Sequence, residues 1–246
     1  MKRFLTLLKI EGRFSLRCPD ALIFGVGMPI GVLFLISIVA GDQSASDQGY
    51  TFLQGAFPSL MTVGICATAF MGIPITFADY RDKKILKHYF VTPVSPKLLL
   101  LVQAVIASLT SILSACMIAL CSYLFFDYHM KGSLLLFLGG YFLVLISMYG
   151  IGMIIAGCSP SVKVTNVISS IVYFPMLFLS GATIPYELFP GFLQRIADIL
   201  PLTQGVKLLK NISIGVLDQQ TLWSSLILII IAGVSYVISI KIFRWE

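Results

Sequence analysis

Apolar residues run in six long blocks along the chain, at 21–40, 55–78, 98–126, 132–157, 164–180 and 221–240, with short polar segments between them. Each block is close to the roughly 20 residues that a helix needs to cross hydrocarbon. None alternates apolar and polar residues in the two-residue rhythm of a barrel strand. The pattern predicts an all-α integral membrane protein with six transmembrane helices. The first block follows a basic segment, as a signal sequence would. It is too long for a signal h-region and reads as an anchor.

Two further segments are amphipathic. Over residues 1–20, Lys2, Lys9, Arg13 and Arg17 fall on one side of a helix, with Phe4, Leu7, Leu8 and Phe14 on the other. A basic amphipathic helix beside a span lies flat in the membrane interface, its cations over anionic headgroups. Residues 181–205, between the fifth and sixth blocks, are too apolar for a solvated loop. Pro185, Pro190 and Pro201 also break them too often for a span. Phe192, Leu193, Ile196, Ile199 and Leu200 form one face of a short helix there, opposite Gln194, Arg195 and Asp198. Such a piece reads as an outer re-entrant helical hairpin before the last span. Irregular backbone at that depth is tolerated where protein or a water-filled cavity covers it, so the piece caps a passage.

Composition makes lipid the solvent: 58% of residues are apolar and only 11% are charged. The net charge of +6 is no nucleic-acid signal, because the basic residues sit in short segments between spans. Of the 17 Lys and Arg residues, only Lys131, Arg195, Lys207 and Lys210 fall on the side opposite the rest. The positive-inside rule then places both termini in the cytoplasm of a prokaryotic plasma membrane. Residues 1–246 read as a single membrane domain. Cys18, Cys66, Cys116, Cys121 and Cys158 have no metal-ligand spacing and read as structural thiols.

Charge concentrates in one loop, 79–97. Arg81, Lys83, Lys84, Lys87, His88 and Lys97 crowd between two spans. Within it Ile85, Leu86, Tyr89 and Phe90 fall at i, i+1, i+4 and i+5, one face of a short helix. Pro93 and Pro96 end that helix. The loop reads either as a solvated marker of orientation or as a lever for a cytoplasmic partner. The rest of the chain favours the lever.

Missing motifs narrow the function. No Gly-Lys pair occurs, so the chain has no P-loop with which to cradle nucleotide phosphates. H-E-x-x-H, G-x-S-x-G and paired intramembrane carboxylates are also missing, so no catalytic, cofactor-binding or metal residues are assigned. The span interiors carry almost no ionisable groups, which argues against an ion-coupled carrier.

The segment 86–97, with Thr92-Pro93-Val94-Ser95, resembles the type-2 permeases of ATP-binding-cassette exporters. So does the segment from Ser180-Gly181-Ala182-Thr183-Ile184-Pro185 to Leu200-Pro201-Leu202-Thr203. The resemblance extends over the whole chain in span number and spacing. It implies a permease half that works as a homodimer, or a heterodimer, with two separate ABC ATPase subunits. ATP and Mg would be held by that partner. Arg81, Lys84, Ile85, Leu86, Tyr89 and Phe90 then correspond to the coupling helix that docks on the ATPase. Pro185, Glu187, Phe192, Ile196 and Leu200 correspond to the outer gate. Gly25, Gly27 and Gly31 of the first span and Phe174 and Phe178 of the fifth correspond to the dimer interface. Family members often carry a glutamate in the coupling segment, where this chain has Lys83 and Lys84. The implied cargo is amphipathic: a drug, an antimicrobial peptide or a lipid-linked molecule. The alternatives are a polysaccharide or teichoic-acid exporter of the same family, an ion-coupled carrier, and a non-transporting scaffold for an ATPase.

Overall fold

The computed structural model describes residues 2–15, 23–40, 52–85, 96–183, 186 and 189–242. After α1 (Lys2–Ser15), a π turn at Ile23–Gly27 leads into α2 (Met28–Ala40). The second span is α3 (Phe52–Ala67), a π turn at Thr68–Gly72, and α4 (Ile73–Asp82). Then come α5 (Pro96–Phe126), α6 (Leu134–Cys158), α7 (Val162–Leu179), α8 (Gly191–Ile199), α9 (Pro201–Ile214) and α10 (Gln219–Ile242). Among the described residues five helical stretches are long and apolar enough to cross a membrane, and the first span is a shorter apolar helix at Gly25–Val39. The described residues contain no strand, so the fold is the all-α membrane bundle that the apolar blocks predict.

The second span is the axis of the bundle. Every residue at 56–70 is buried, including Leu60, Ile65, Cys66 and Phe70. By contrast α5 and α10 turn Leu113, Leu120, Leu124, Leu226, Ile230 and Val237 outward, a surface suited to acyl chains and costly in water. Midway along the axis the π turn widens the helix just before Pro74, whose ring nitrogen has no hydrogen to offer the preceding turn. Thr68 Oγ1 bonds back to the carbonyls of Ile65 (2.9 Å) and Gly64 (3.2 Å). It also meets Ser111 Oγ at 2.7 Å and Tyr149 Oη at 3.1 Å, and the last two lie 2.8 Å apart. Hydroxyls that would be costly alone in an apolar interior thus satisfy one another across three spans. The fourth span approaches this turn at Gly152, where a Cβ would stand 2.1 Å from the Ala69 carbonyl oxygen. Only glycine fits there.

Two amphipathic segments differ from expectation. Helix α1 does not spend its apolar face on lipid alone. Phe4, Leu7 and Leu8 pack against Leu98, Val102 and Ile106 of α5, while Leu5, Lys9, Ile10 and Arg13 are exposed. The segment read as a re-entrant hairpin continues as helix past residue 205. It comprises α8 and α9, and α9 is its buried half, with Leu202, Leu208, Leu209 and Ile212 in the core. Lys207, Lys210 and Asn211 interrupt the apolar pattern of α9 in the sequence.

Candidate coupling site

The last turn of α4 ends where the basic loop begins, and three consecutive side chains there reach three directions. Tyr80 donates its hydroxyl to Glu11 Oε2 on α1. Gln103 of α5 donates through Nε2 to the same carboxylate oxygen (2.9 Å) and to the Tyr80 oxygen (2.8 Å), closing a triangle. All three groups are buried: Glu11 is 8% exposed, Tyr80 4% and Gln103 7%. A buried carboxylate is tolerable because two donors meet it. Tyr80 also packs on Leu99 and Ile85.

Arg81 turns the other way. Its Nη1 donates to the carbonyls of Ala156 (2.9 Å) and Ser159 (2.5 Å) at the end of α6. The last carbonyls of a helix lack intrahelical partners and carry the negative end of its dipole, so a guanidinium fits them well. Asp82 Oδ2 accepts the backbone N–H of Val162 at 3.0 Å, at the first turn of α7. Ser161 caps the same helix by accepting from Val164 N at 3.4 Å. A cation on one helix end and an anion on the next brace the tight 159–161 turn between them.

The helix stops at Asp82, so Asp79–Asp82, the start of the predicted basic loop, is the last turn of the second span. Lys83 N and Lys84 N bond back to Asp79 O and Arg81 O, and Lys84 adopts a left-handed φ of 56°. That residue ends the helix in the way glycine commonly does, which the sequence did not signal. The Asp79–Lys83 ion pair at 2.8 Å is solvent-exposed and adds little. Of the six predicted docking residues, Lys84 is exposed and Ile85 half-buried. Arg81 points its guanidinium into the bundle, and Leu86, Tyr89 and Phe90 lie outside the described residues. Sequence reasoning missed Glu11, Tyr80, Asp82 and Gln103. A lone acid in a basic amphipathic helix was the available signal.

At the other end of the bundle, Phe192 and Ile196 of the predicted gate are exposed on α8, and Leu200 packs against the core. Pro185 and Glu187 lie outside the described residues. A polar knot joins this hairpin. Asp198 Oδ1 accepts from Lys207 Nζ (2.5 Å) and from the Tyr186 hydroxyl (2.8 Å), with Lys207 4.0 Å above the Tyr186 ring. Gln204 then links the Asp198 carbonyl (2.6 Å) to Ser224 of α10 (2.8 Å). The predicted dimer residues divide. Gly27, Gly31, Phe174 and Phe178 are exposed, whereas Gly25 is buried within the protomer, where a Cβ would lie 3.5 Å from Thr68 Cγ2.

Residues 2–213 match the profile of ABC-2 type transporters. The chain belongs to the ABC-2 type transporter family. It is also similar to proteins named Nodulation protein J. The one from Neorhizobium galegae is 26% identical over 201 residues, covering 82% of this chain and 73% of that protein. The one from Rhizobium meliloti (strain 1021) is 35% identical over 65 residues, 26% of this chain and only 25% of that relative. The resemblance read from the two motifs is therefore correct at the level of the family. This member of the ABC-2 family is a multi-pass membrane protein. In this chain, Tyr80, Arg81 and Asp82 stand where a loop between spans meets four other helices.

Proposed function

We propose that this chain is the permease subunit of an ATP-driven exporter. A separate ABC ATPase, present in two copies, docks on the basic loop, and two permease copies enclose the path. Both termini face the cytoplasm, and the cargo is amphipathic. The observation that best supports the reading is the Tyr80–Arg81–Asp82 turn. A push on the loop after Lys84 acts on a helix end already bonded to α1, α5, α6 and α7. ATP-bound and ATP-free partners need only prefer different arrangements of that turn for hydrolysis to drive transport. The α8–α9 hairpin closes the far end at rest.

The test is reconstitution of the permease with the ABC ATPase encoded nearest to it, in vesicles carrying a dye-labelled phospholipid. ATP-dependent movement of the dye between leaflets supports the reading. Binding without movement over several amphiphiles and a labelled polysaccharide indicates a scaffold. Movement driven by an ion gradient without ATP indicates an ion-coupled carrier. Movement of the polysaccharide alone reassigns the cargo within the family.

A further inference from the structure

Glu11 is the one acidic residue of α1, a helix whose other charges are basic, and it is turned away from water. Phe4, Leu7 and Leu8 of α1 also make apolar contact with Leu98, Val102 and Ile106. Apolar contact is non-directional and holds a helix near its neighbour without fixing how far it slides. Hydrogen bonds do fix it, because they weaken steeply with angle and distance. The carboxylate receives one donor from the second span and one from the third, and Gln103 ties those two donors together. Tyr80, which grips Glu11, directly precedes the residues that brace the fourth and fifth spans. Displacement of this turn therefore reaches α1 through the Glu11 carboxylate.

We infer that Glu11 is a positioning residue for coupling: it makes the N-terminal helix travel with the inner end of the second span during the ATP cycle. The inference rests on the exporter reading above. It assigns α1 a moving part in the cycle, in place of a passive anchor, and Glu11 does this without touching cargo or nucleotide. Gln at position 11 retains an oxygen that accepts the same two bonds. Leu at position 11 removes both, and Phe at position 80 removes the one from the second span, each while keeping the bulk.

The test uses the permease–ATPase complex in lipid nanodiscs, with the native cysteines replaced and an environment-sensitive fluorophore on Lys9→Cys or Lys84→Cys. With otherwise unchanged residues, Mg-ATP is expected to change emission at both positions. In Tyr80→Phe and Glu11→Leu the change at Lys84 persists and the change at Lys9 is lost, while Glu11→Gln restores it. A purely structural role would lower the thermal midpoint without separating the two probes. An unaltered response at Lys9 in both Tyr80→Phe and Glu11→Leu overturns the inference, and so does a silent Lys9 beside a responsive Lys84 in the unsubstituted protein. Silence at both positions overturns the exporter reading with it. Should Glu11→Leu fail to fold, Tyr80→Phe, which differs by a single oxygen, decides.

Discussion

Arg81 and Asp82 are neighbours in the chain, yet each closes a different helix end. The guanidinium holds the last carbonyls of α6, and the carboxylate holds the first N–H of α7. Their opposite charges match the opposite ends of the two helix dipoles.

Replacing Arg81 with Ala should therefore loosen the 159–161 turn. A hydrogen bond to a charged group is worth about 1.5–3 kcal/mol, and partial exposure places this pair near the lower end. Arg81→Lys should recover only part, because one ammonium does not reproduce the planar fork. Thermal unfolding in detergent measures both, and an unchanged midpoint in Arg81→Ala would show the bonds to be idle.

Gly152→Ala should destabilise the bundle by about 1–3 kcal/mol, the usual cost of overpacking, since the new Cβ would stand 2.1 Å from a backbone oxygen. At Gly139 in the same helix a Cβ would meet nothing within 4 Å, so Gly139→Ala should be neutral or gain up to about 1 kcal/mol. Equal midpoints for the two variants would contradict the close approach of the fourth span to the π turn.

Leu209 is wholly buried in α9, while Ile199 on α8 is 78% exposed. Leu209→Ala should cost about 2–5 kcal/mol and Ile199→Ala little. The reverse order would return the buried half of the hairpin to α8. Denaturant titration of each variant is sufficient.

The Asp218 carboxyl lies below the usual carboxylate range, chiefly because the Thr221 backbone N–H and then its hydroxyl bond to it, with Asn211 adding a weaker donor. A carboxylate with a depressed value stabilises the fold above its unfolded pKa of about 4, and that contribution disappears as pH falls through the lower folded value. Asp218→Ala should remove a helix cap worth about 1 kcal/mol at neutral pH and flatten the acid limb of the stability curve. Superimposable pH profiles would remove the cap from the account of α10.

A cysteine at Gln219, in a background lacking the native five, should react with an impermeant thiol reagent in intact cells. One at Lys84 should react only after permeabilisation. Reaction at Lys84 in sealed cells would invert the orientation read from the basic residues.

Spans are legible in a sequence because lipid demands long uninterrupted apolar runs, and each of the six predicted blocks corresponds to a helix. The ends of elements are less legible, because they depend on partners distant in the chain. The stop at Asp82 depends on a left-handed Lys84, and no glycine announces it. Helix α9 carries Lys207, and its burial makes sense only once Asp198 and Tyr186 stand beside that ammonium. Glu11 stands out in the sequence only as the lone acid of a basic helix, and its partners Tyr80 and Gln103 lie 69 and 92 positions away. Gly25 and Gly31 look alike in the sequence, but the twist of the first span sends one inward and the other outward.

The π turn at Thr68–Gly72 amounts to one residue more than an α-helix would need over the same length. Each residue rotates an α-helix by about 100°, so that surplus sets the rotational phase of everything after it. Rewinding residues 68–72 as regular α-helix with none removed would leave a smoother, better hydrogen-bonded helix. It would also swing Tyr80, Arg81 and Asp82 together onto the wrong neighbours. The irregularity in mid-membrane is thus the phase setting for the contacts at the helix end, and a repair of the one is a misalignment of the other.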